Sequence, residues 1–180
     1  MGIAASQARY LYLTARQTNV EFEGQQINQA RTNLANEESG LFRQMMEIKS
    51  PTMPTLYTIK QNCEKWLETG GPRPEDYSGG EQSKEYQNDM SIWTAYQESG
   101  DINYAYQIAT DGYQAAQQDY EQAMNEINTK TEEIHQKDQV LELQLRQLDT
   151  EQETIVNELE SVKKVLDKNI QNVFKTFDGT

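Results

Sequence analysis

The last third of the chain repeats with a period of seven residues. Alternate steps of four and three from Tyr120 meet Met124, Ile127, Thr131, Ile134, Asp138, Leu141, Leu145, Leu148, Gln152, Ile155, Leu159, Val162, Leu166, Asn169 and Val173. A helix patterned this way carries an apolar seam that only another helix covers, so residues 113–180 are expected to form one arm of a coiled coil or long bundle. What covers the seam is therefore the central functional question.

A second stripe lies at the other end. Leu13, Val20, Ile27, Leu34, Leu41 and Ile48 recur at a strict interval of seven, with Ala30 and Met45 between them. The spacing predicts a helix over 3–49, within an N-terminal region 1–50. Interleaved positions are weaker here, being held by Gln, Gly24 or Arg31. Gly24 and Gly40 each cost about 1 kcal/mol relative to Ala in a helix interior.

Between the two stripes, residues 51–112 read as an acidic, aromatic, punctuated middle. All four prolines fall there, at 51, 54, 72 and 74, and the first must end the N-terminal helix near Ser50. Thr55 as a cap, apolar residues from Leu56 to Leu67 at helical spacing, and Gly70 as a terminator favour a short helix over 55–69, although Leu56 to Ile59 could equally start as a strand. Gly71 to Gly80 reads as an exposed loop, and Tyr86, Met90, Trp93 and Tyr96 fall on one face of a helix over 82–97. Ile102, Tyr104, Tyr106 and Ile108 alternate like a strand between turn residues. A strand needs a partner, so this stretch is either part of a small hairpin or a helix. The expected fold is mainly α, with long terminal helices paired as an antiparallel coiled coil around a small irregular middle that is helical or α+β.

Composition argues against a deep-cored enzyme. With ten Tyr exchanged for ten Gly, the apolar share stays near 36%, below the roughly 45–50% usual for globular domains. Residues 61–160 hold 22 acidic and 6 basic residues, against 7 and 10 in the two ends together. The most basic cluster is Lys163, Lys164, Lys168 and Lys175, too small for a phosphate-tracking stripe, so no nucleic-acid partner is expected. No run approaches the length of a membrane span, and Arg9 and Arg16 break any signal-like stretch. The chain is expected to be cytoplasmic, or exported without a cleaved signal peptide.

Candidate sites are few. Met1-Gly2-Ile3-Ala4-Ala5-Ser6 matches an N-myristoylation pattern that is frequent by chance, and no second anchoring signal accompanies it. Glu132 and His135 have the Glu-x-x-His spacing of di-iron bundles, which need two such motifs. His135 is the only histidine and Cys63 the only cysteine. Intramolecular disulfides, Cys-His dyads and His-built metal sites are excluded on that count. No catalytic, cofactor-binding or metal residues are assigned, and no enzyme activity is expected. Thr131, Asp138, Gln152 and Asn169 sit at seam positions as register devices or as wet patches, with equal weight. The tyrosines from Tyr77 to Tyr120, with Trp66 and Trp93, are expected chiefly to pack the middle region's core.

The residues carrying the function are thus the helix-pairing seam: Leu13, Val20, Ile27, Leu34, Leu41 and Ile48 at one end, with Met124, Ile127, Ile134, Leu141, Leu145, Leu148, Ile155, Leu159, Val162, Leu166 and Val173 at the other. Their expected partner is another copy of the chain or another helical protein. Two terminal heptad helices, an acidic aromatic middle and an N-terminus reading Ala4-Ala5-Ser6-Gln7-Ala8-Arg9 resemble the axial filament proteins of bacterial flagella and related type III secretion filaments. The resemblance covers about half the chain and transfers no functional residue. It implies terminal helices packed inside a filament core and a middle facing outward. An adaptor or chaperone-like module holding one partner is the other reading.

Overall fold

The structure, a computed structural model, describes residues 2–177. The last three residues of the expected C-terminal segment lie outside them, as do the side chains of Thr176 and Phe177. Among the described residues there are four α-helices and no strand: α1 (Ile3–Glu47), α2 (Leu56–Thr69), α3 (Lys84–Ser99) and α4 (Ile102–Phe177). Two short 3-10 turns, Pro74–Asp76 and Gly80–Gln82, lie between α2 and α3.

Local chemistry explains most helix ends. α1 passes through Gly24 and Gly40 and stops at Glu47, ahead of Pro51. Thr55 caps α2 by accepting the Thr58 backbone N–H at 3.1 Å, and Gly70, at φ 80°, closes it by donating to the Trp66 carbonyl at 2.9 Å. Gly100, at φ 65°, ends α3 through the Tyr96 carbonyl.

The strand alternative for residues 102–108 is corrected, because they form the first turns of α4. Asp101 Oδ1 accepts the Asn103 backbone N–H at 2.9 Å, capping the helix. Ala105 and Ala109, one turn apart, are fully buried and define the inner face. Asp111-Gly112 does not interrupt the helix either. Gly112 lies against the Asn88 amide so closely that a Cβ there would meet the Asn88 Oδ1.

The chain divides into two compact units: residues 43–128 form one, and residues up to 42 with those from 129 onward form the other. In the first, Ile59, Cys63 and Trp66 of α2 pack with Ile92 and Trp93 of α3 and with Ala105 and Ala109 of α4. Trp66 meets Trp93 edge-on at 6.3 Å, a favoured aromatic geometry. Both tryptophans are buried, whereas Tyr57 and Tyr104 are exposed. Burial pushes the Cys63 thiol up to about 11. Tyr77 donates to Asp89 at 2.6 Å, and burial still lifts the Asp89 carboxyl above its usual range.

The glycines fall into two physical kinds, which substitution separates. Nothing approaches an added Cβ at helical Gly24 or Gly40, so Gly24→Ala and Gly40→Ala should each stabilise by about 0.5–1 kcal/mol. Gly71 has φ 122°, and a Cβ there would lie 2.9 Å from Trp93 Nε1. Gly71→Ala should destabilise by about 1–3 kcal/mol. Urea titrations followed by circular dichroism and tryptophan fluorescence would measure both signs.

Candidate helix-pairing interface

In the unit built from the two ends of the chain, α1 and α4 pack closely through a thin apolar core. Leu13 and Val20 of α1 and Ile155 of α4 are buried together, with Leu148, Leu159 and Val162 packed around them. Among the other seam residues, Leu41, Ile127 and Ile134 are buried. Ile27, Leu34, Ile48, Met124, Leu141, Leu145 and Leu166 are half-buried. Val173 is 41% exposed.

Charged side chains flank this core on both helices. Arg9 meets Glu158 at 3.4 Å and Arg16 meets Glu151 at 2.8 Å. Arg31 donates through Nε to Asp138 Oδ1 at 2.7 Å and through a terminal nitrogen to Oδ2 at 3.0 Å, a two-pronged grip. Further along, His135 Nε2 lies 3.7 Å from Glu38 Oε1.

Arg31 and Asp138 are among the polar residues that interrupt the two apolar stripes, and the structure brings these two together. Their side chains are 32% and 37% exposed, about a third of each facing solvent. The Arg31 hydrogen bonds hold the Asp138 carboxyl below its ordinary range, and Asp138 in turn raises the Arg31 guanidinium, against the opposing effect of burial in each case. Asp138 was readable as a seam residue, but its partner was not. The available signal was spacing, since Arg9 and Arg16 are seven apart, as are Glu151 and Glu158. That is the flanking-charge pattern of paired helices.

At the start of α1, Ser6 is buried and its Oγ has no hydrogen-bond partner. It lines a groove of about 410 Å³ together with Arg9 and, from α4, Thr154, Asn157, Ser161, Val162 and Val165. Glu132 is exposed, and His135 faces Glu38. Among the described residues no three His, Cys, Asp or Glu side chains gather as a metal site. Among the described residues, too, no helix is long and apolar enough to cross a membrane. Comparison with known proteins finds no matching family, no matching curated protein and no matching solved structure.

Two outcomes follow from this interface. Ile155→Ala should cost about 2–4 kcal/mol through lost packing and a residual void, read from the chemical denaturation midpoint. Because folding holds the Asp138 pKa below its unfolded value, its contribution is complete at neutral pH and disappears as pH falls from about 4 toward the folded value. Asp138→Asn should therefore lower thermal stability at pH 7 and make progressively less difference as the solution is acidified below pH about 4. A double-mutant cycle with Arg31→Ala would show coupling at pH 7 that vanishes in acid.

Proposed function

We propose that this chain is a non-enzymatic helical assembly protein. Its terminal helices pair antiparallel, and the excess length of α4 joins the molecule to further copies, as in an exported filament or appendage-like structure. The order of the cross-helix pairs carries the reading. As the α1 position rises through Arg9, Arg16, Arg31 and Glu38, the α4 position falls through Glu158, Glu151, Asp138 and His135. Extended in that register, Ile3 stands near residue 164, while α4 runs on to Phe177.

The remaining stretch of α4, about 20 Å at 1.5 Å per residue, presents several apolar residues to water. Val165, Ile170 and Val173 are exposed, and Phe174 is 68% exposed. Several apolar side chains in succession on a solvated helix are better accounted for by a partner than by the monomer. The non-enzymatic reading is supported by a single histidine and by a buried, unreactive cysteine. The likeness of the terminal helices and charge layout to axial filament proteins supports the kind of assembly. A second reading, a binding module for a different helical protein, is favoured by exposed Leu56, Tyr57 and Leu67 on α2.

Light scattering across a hundredfold concentration range, with negative-stain imaging, separates these readings. Self-assembly predicts a mass that grows with concentration and is lost on truncation after residue 164. A monomer at every concentration would overturn it.

A further inference from the structure

The charges on α4 invert along its length. From Asp149 to Glu160 the helix carries Asp149, Glu151, Glu153, Glu158 and Glu160 and no base. From Ser161 to Lys175 it carries Lys163, Lys164, Lys168 and Lys175 against Asp167 alone. All four lysines are exposed, as are Asp149, Glu153 and Glu160, whereas Glu151 and Glu158 are engaged by arginines of α1. Lys164, Lys168 and Lys175 lie within about 40° of one another around the helix, and Glu153 and Glu160 within about 20°.

A helix with an acidic block followed by a basic block repels a parallel copy in register, acid on acid and base on base. It complements an antiparallel copy at both ends. The groove lined by Ser6, Arg9, Thr154, Asn157, Ser161 and Val165 straddles the inversion point. Ser6, Thr154 and Ser161 are small, so a helix can approach closely there, and the Ser6 hydroxyl, buried without a partner, points to an occupant that completes the site.

We infer that the occupant is α4 of a second copy, docked antiparallel about a two-fold axis near Val162. This rests on the self-association reading above and specifies its first step. An axis at residue 162 sets Lys164 opposite Glu160 and Lys175 opposite Asp149. Lys168 comes opposite the turn between Glu153 and Glu158. Each pair occurs twice, as two-fold symmetry requires. Val165, an exposed apolar residue of the groove wall, is covered in each copy by the contact. The contact closes on itself, so the dimer is the unit from which any larger assembly is built.

Charge exchange in the full chain tests the arrangement, with dissociation measured by sedimentation and partner choice by native mass spectrometry. Circular dichroism checks that each variant keeps its helices. Reversing the tail with K164E, K168E and K175E puts like charges on both contacts and should weaken the dimer by roughly a hundredfold. Adding D149K, E153K and E160K to the same chain restores complementarity and should restore the dimer. That exchanged protein should pair with itself but not with wild type, a discrimination that only an antiparallel contact makes. A wild-type dimer indifferent to tail reversal, or free mixing of exchanged and wild-type chains, would overturn the inference and leave self-assembly standing. A wild-type chain that stays monomeric would overturn both.

Discussion

The Arg31–Asp138 pair is the interaction on which the pairing of α1 with α4 most depends. An apolar seam repeating every seven residues is nearly indifferent to a slip of one repeat, because leucine then replaces isoleucine or valine at little cost. A guanidinium and a carboxylate inside that seam are not indifferent. A slip of one repeat sets Arg31 against Thr131 or Leu145 and Asp138 against Gly24 or Glu38, losing two charge-assisted hydrogen bonds and leaving both charges unmatched. The pair adds little raw cohesion and much selectivity. The exposed Arg9–Glu158 and Arg16–Glu151 contacts reinforce the same alignment more weakly, since water and salt screen them.

Much of the helical character was legible in the primary structure because covering a long helix on one side imposes a repeat of about three and a half residues, which survives in the text as Leu, Ile and Val at fixed intervals. The pairing across the helices was less legible. Arg31 looked like a defect in the N-terminal stripe and Asp138 like one in the C-terminal stripe. Periodicity within one helix carries no information about its alignment with another, so neither residue identified the other.

The beginning of α4 was obscured for a different reason. Tyrosines at positions 104 and 106 between isoleucines at 102 and 108 imitate a strand, because large residues dominate a reading by size. The side chains that pack most tightly there are the small Ala105 and Ala109, with Gly112 against Asn88 one turn further on. Close helix packing selects for little side chain, and little side chain leaves a faint trace in a hydrophobicity pattern. The same holds at Ser6 and Ser161, where the groove is made by what the residues lack.

The buried thiol of Cys63 has a chemical corollary. At ordinary pH it is almost wholly protonated, and α2 and α3 shield it from reagents. Alkylation must wait until that three-helix core loosens, at which point the sulfur regains ordinary nucleophilicity. The chain therefore carries a single native clock for the breathing of its central region, one whose rate is set by the opening equilibrium of the core.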